Sequence, residues 1–115
     1  MSGMTFHDVA AVACKLPEVE ISKSYDTPSL KVRGKMMARL LEDGKTLVLR
    51  TELLDRQILM QADPDTFFIT AHYTNYPLVL VRLGKVSRAA VPDLLERAWR
   101  LVAPKTLVEM LDARS

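Results

Sequence analysis

Apolar residues recur at helical spacing at Phe6, Val9, Ala10 and Ala13, which predicts an amphipathic helix over residues 5–16. Thr5 is placed to cap it, Asp8 suits the positive first turn, and Pro17 closes it. Residues 18–26 are polar without a firm period and are expected to form a loop. Thr27-Pro28 then leads extended chain into a strand, where Leu30 and Val32 alternate with Lys31 and Arg33. Gly34 permits a tight turn into a returning strand over residues 35–41. Glu42-Asp43-Gly44-Lys45 reads as a second turn and residues 46–50 as a third strand, completing an antiparallel meander.

Thr51 is expected to cap a second helix over residues 52–62, with Leu54, Ile58, Leu59 and Ala62 as its buried stripe. A short strand over residues 67–70 follows, then a polar connector, then a strand over residues 77–83 that is apolar on both faces. Such a strand belongs inside a sheet. Ser87 is placed to cap a third helix whose stripe is Val91, Leu94, Leu95, Ala98, Leu101 and Val102, with Trp99 covering the core's edge. Asp93 with Arg97, and Glu96 with Arg100, are favourably ordered pairs on its solvated side. Pro104 breaks the pattern, and residues 105–113 read as a short final helix that can pack through Leu107, Val108 and Leu111. The fold class is therefore α+β: a two-layer domain over residues 1–115, an antiparallel sheet with helices on one face, in the order α-β-β-β-α-β-β-α(-α). The other sheet face is expected to be open.

Composition bounds this picture without changing it. A chain of 115 residues suits one domain, and its 49% apolar content is ordinary for a soluble globule. Nothing approaches the ~20 apolar residues of a membrane span, and Met1-Ser2-Gly3-Met4-Thr5 carries no secretory leader pattern, so a cytoplasmic location is expected. The lone Cys14 rules out an internal disulfide and is expected to act as a small hydrophobe. A formal charge of +2 does not supply the basic footprint of a dedicated nucleic-acid binder, so any such case rests on local clustering.

Catalytic constellations are not visible. Four scattered glycines build no phosphate loop, and His7 and His72 are joined by no carboxylate pattern into a metal site. Glu18 and Glu20 read as part of a solvated loop. The chain is accordingly expected to be no enzyme, with no catalytic residues, no cofactor and no metal. Two groups remain as candidate sites. His72, Tyr73, Asn75 and Tyr76 gather an imidazole, two phenols and an amide in one connector, able to stack on a base or grip a small polar ligand. The plainer alternative is a shaped loop whose tyrosines roof the core. The second group is basic: Lys31, Arg33, Lys35, Arg39 and Arg82, with Arg50 and Lys85 nearby. A hairpin tip of this kind can lie against phosphate, although strands facing water carry such residues anyway. Met36, Met37 and Met60 read as core filler.

Asp26-Thr27-Pro28, Lys31-Val32-Arg33-Gly34-Lys35, Phe67-Phe68, His72-Tyr73, Tyr76-Pro77, Val81-Arg82-Leu83 and Ala98-Trp99, in this order and spacing, resemble the MmcQ/YjbR family over most of the chain. The resemblance implies an α-β(3)-α-β(2)-α domain of the kind likened to secretion chaperones and the frataxin-like CyaY domain. It also implies a DNA-binding role through a double-wing arrangement, with the Lys31 to Lys35 hairpin as one wing and the His72 to Tyr76 connector belonging to the other. Leu30 and Leu78 stand where the family is expected to carry bulky aromatics, and the resemblance brings no catalytic residues.

Three functions follow as expectations: a DNA-binding module, a protein- or peptide-binding module using the open sheet face through Leu78, Val79 or Leu80, and a small-ligand binder at the His72/Tyr73 loop. The chain is expected to be a monomer or homodimer. A continuous positive stripe on the open face would favour DNA. A mixed or apolar face would favour a protein partner.

Overall fold

The computed structural model describes residues 3–24 and 26–114. Met1, Ser2, Tyr25 and Ser115 lie outside them, and the expectation about a leader falls partly there. The element order is α1 (Phe6–Ala13), β1 (Val19–Ser24), β2 (Thr27–Val32), β3 (Lys35–Leu40), β4 (Thr46–Arg50), α2 (Leu53–Ala62), β5 (Phe67–Phe68), β6 (Leu78–Arg82), α3 (Val91–Val102) and α4 (Lys105–Ala113). All six strands form one antiparallel sheet in the order β1-β2-β3-β4-β6-β5. The α+β class and the two layers are as expected. The strand β1 is an addition, in a segment expected to be a loop.

The capping box of α1 is as read: the Asp8 amide donates to Thr5 Oγ1 at 3.2 Å and the Thr5 amide to Asp8 Oδ2 at 3.0 Å. Val9, Ala10 and Ala13 are buried, but Cys14 is the exposed C-cap and contributes nothing to the core. One apolar row crosses the sheet beneath the helices, Ile21–Leu30–Ala38–Leu49–Val79, each residue opposite the next. Between Leu30 and Lys31 the register to β3 shifts, because Ala38 and Met36 face consecutive residues of β2. This bulge sends Met37 fully into the core and turns Met36 to the opposite face, so only one of the pair is core filler.

The helices also depart from expectation. Trp99 is fully buried rather than at the core's edge, and its indole N–H donates to the Pro17 carbonyl at 2.9 Å. Leu101 is exposed, and the Ser87 side chain makes no capping bond to the short 3-10 turn Arg88–Ala90 that precedes α3. The expected stripe of α2 is largely outside: Leu54 is 68% exposed and Ile58 57%. The reason is that Asp55 and Arg56 turn inward to make specific bonds, Asp55 to Arg97 at 3.6 Å and Arg56 to the connector before β6. Thr51 is buried and does not cap; Glu52 holds the N-cap position without a side-chain bond.

The β3–β4 turn is organised by Asp43, whose carboxylate accepts from the Lys45 amide at 2.8 Å, the Thr46 amide at 2.9 Å and the Thr46 hydroxyl at 2.8 Å. The Lys45 amide first, then the Thr46 groups, hold this carboxyl below its ordinary value despite some desolvation. A depressed folded-state pKa stabilises fully above the ordinary carboxylate value of 3.8 and loses that contribution as pH falls through the folded value. Because the turn is exposed and solvent screens it, Asp43→Ala is expected to cost only about 1 kcal/mol at neutral pH. Urea titrations should show the gap from wild type closing as the buffer is acidified. A gap of constant size down to strongly acid pH would contradict this role.

Candidate functional site

The sheet face away from α1 and α3 is where the candidate residues meet. Across it run Ser22, Ser29, Arg39, Val48, Leu80 and Phe68, opposite one another strand by strand. The row grades from hydroxyls through one guanidinium to apolar side chains. It is not a positive stripe. Nor is it bare: Val48 and Leu80 are fully buried on it, and Val79 lies in the core on the other face.

Over the Val48 part of this face lies the connector between β5 and β6. Its first turn is a 3-10 turn, Ala71–Tyr73, continued by the Tyr76 amide donating to the Tyr73 carbonyl at 3.1 Å. The His72 ring lies between two phenols, edge-on to Tyr73 at 4.7 Å and tilted 32° against Tyr76 at 5.9 Å. Asn75 is exposed and stands apart from the other three. The connector is held by Arg56 of α2. Its Nη1 donates to the carbonyls of Tyr73 (3.1 Å), Tyr76 (2.9 Å) and Leu78 (3.1 Å), and its Nη2 to that of Thr74 (3.0 Å). One guanidinium thus ties together four carbonyls, three in the connector and one at the first residue of β6. Sequence reasoning missed Arg56, and the only signal for it was a connector rich in backbone groups needing donors.

Between connector and sheet lies a cleft of about 520 Å³, lined by Met36, Arg39, Glu42, Val48, His72, Tyr73, Tyr76 and Leu78. Ligand sites commonly occupy ~300–1,000 Å³ with apolar walls and a few polar groups, and this cleft has both. The floor is Val48 with Met36 and Leu78, and the aromatics form one wall. Arg39 and Glu42 form the polar end. Arg39 is buried, with Nη1 donating to Thr27 Oγ1 at 3.0 Å and lying 3.7 Å from Glu42 Oε2.

The basic set does not assemble as expected. Arg33 is clasped by Glu18 through two bonds, Nε to Oε1 at 2.8 Å and Nη2 to Oε2 at 3.1 Å. Those bonds lower the Glu18 carboxyl's pKa and raise that of the guanidinium. Glu18 is therefore a partner rather than a merely solvated loop residue. Arg82 lies 4.0 Å above the Phe68 ring and donates to the Asp65 carbonyl at 2.9 Å, tying β6 to β5. Lys31 and Lys35 alone of the five make no ion pair or ring contact among the described residues. No group of three or more His, Cys, Asp or Glu side chains among those residues could hold a metal, and no helix among them is long and apolar enough to cross a membrane.

Comparison with known proteins adds kinship. The family model described as YjbR matches residues 14–101. Uncharacterized protein Rv2570 of Mycobacterium tuberculosis and uncharacterized protein Mb2600 of Mycobacterium bovis are each 39% identical over 57 residues, which is 50% of this chain and 44% of each relative. The match thus spans less than half the length of these relatives. The crystal structure of Deinococcus radiodurans protein DR2400, with domain DUF419, is similar at a TM-score of 0.72 and 25% identity, covering 84% of this chain and 77% of that one.

Proposed function

The chain belongs to the YjbR family, and from that premise we propose that it is a non-catalytic binding module whose working site is the cleft beneath the His72–Tyr76 connector. The ligand class is a small organic molecule with a planar apolar part and one polar group. The planar part lies against the Tyr73 and Tyr76 rings over Val48, and the polar group meets the Arg39/Glu42 end. The observation that carries this reading is convergence. Arg39 and the three aromatics come from segments more than thirty residues apart, yet they line one cleft with an apolar floor.

A fragment screen followed by amide chemical shifts tests it. Binders are expected to shift Met36, Val48, Leu78 and residues 72–76, and Tyr73→Ala is expected to weaken them at least about tenfold by removing an aromatic contact face. If no fragment perturbs that set, or Tyr73→Ala changes nothing, the reading is wrong.

DNA binding is the second reading, supported by Lys31 and by Lys35, which is exposed beside the Arg33-Gly34 turn. It predicts salt-dependent binding with a log–log slope of roughly −0.9 per phosphate contact, lost in Lys31→Ala with Lys35→Ala. With Arg33 clasped and Arg39 buried, the cleft is the better supported site.

A further inference from the structure

The two edges of the sheet are unlike. The β5 edge is only two residues long, which offers a second strand little to pair with. The β1 edge is six residues long, contains no proline or glycine, and pairs with β2 in six consecutive positions without a bulge. Every second residue of such a strand turns its N–H and C=O outward with nothing to bond. The apolar row beneath the helices also runs out at this edge, ending in Ile21, which is 61% exposed.

We propose that β1 is a homodimer interface, pairing antiparallel with β1 of a second copy about a two-fold axis through Ile21. A two-fold axis perpendicular to the sheet reverses strand direction and keeps each face on its own side, so only residues of the same face come opposite each other. Centred on Ile21, it sets Ile21 against its twin, and the apolar row continues from one copy into the next. In this register Glu20 faces Ser22 of the second copy and Val19 faces Lys23, so no like charges stand directly opposed. A second copy is the occupant that supplies the same row in reverse order. Six strands become twelve, and both clefts open on the same side of the joined sheet, two strands away from the axis.

Sedimentation of the full chain from micromolar to submillimolar concentration is expected to show a species of twice the 12.9 kDa chain mass. Ile21→Lys places two cations opposite each other at an exposed position and should raise the dissociation constant on the order of tenfold or more with little change in thermal stability. In a Cys14→Ser background, Ile21→Cys should oxidise to a covalent dimer, because directly opposed residues sit about 4.5–5.5 Å apart, within disulfide reach. Ser24→Cys in the same background should not, since its twin lies far along the strand. A strictly monomeric chain, a dimer indifferent to Ile21→Lys, or cross-linking as efficient through residue 24 as through residue 21 would each overturn the proposal.

Discussion

Trp99→Ala is expected to cost about 3–5 kcal/mol, a large part of the ~5–15 kcal/mol by which a domain of this size is usually stable. Trp99 is fully buried at the centre of α3's inward face, between Ala98 and Val102 and against the core that Val9, Ala10 and Ala13 of α1 share. Truncation removes the largest buried side chain and leaves a void that rigid neighbours close only partly. It also strips the Pro17 carbonyl of the indole donor that fixes the chain's exit from α1 into β1. Trp99→Phe separates the two effects, since it keeps most of the apolar volume and loses only the hydrogen bond. Urea unfolding followed by circular dichroism should rank wild type above Trp99→Phe and Trp99→Phe above Trp99→Ala. An alanine variant within about 1 kcal/mol of wild type would mean that the side chain is not the core element described.

The contrast between α1 and α2 shows where local pattern suffices. The caps and period of α1, the bounds of α4 and the two-sided apolar run of β6 are consequences of neighbouring residues, and all three are seen where the sequence predicts them. The fold class follows from them. The edge strand β1 was not legible because an edge strand facing water on one side needs few apolar residues; Val19 and Ile21 are its only ones. The outward turn of the α2 stripe does not follow from its own period, because Asp55 and Arg56 engage Arg97, 42 residues on, and carbonyls 17 to 22 residues on. The candidate site divides the same way. His72, Tyr73 and Tyr76 stand out as a polar-aromatic cluster, and all three line the cleft. What Arg33 and Arg39 do depends on Glu18 and Thr27, fifteen and twelve positions off, and no local rule assigns those partners. Charge counted along a chain is a poor guide to charge available on a surface.

Arg56→Met should release the connector that roofs the cleft. The substitution keeps an apolar stem of similar reach but removes every donor, so the Tyr73, Thr74, Tyr76 and Leu78 carbonyls lose their shared partner together. Water can reach part of this loop, which limits the global cost to about 2 kcal/mol, in the range for hydrogen bonds to a charged group. The local effect is expected to be larger than the global one, because only short turn bonds and the Thr51 amide's bond to the Pro77 carbonyl hold the connector once the guanidinium is gone. Amide exchange at Tyr73, Thr74, Asn75 and Tyr76 should therefore quicken far more than exchange at Val79, Leu80 and Val81, whose strand stays paired with β4. Fragments that lie against Tyr73 and Tyr76 should bind more weakly in the same variant, since the rings are no longer held over Val48. Arg56→Lys is expected to fall between, because a point-charge ammonium with three donors cannot span carbonyls of four residues as the guanidinium fork does. If connector amides in Arg56→Met exchange as slowly as in wild type, the roof is held by something other than Arg56, and α2 does not control the cleft.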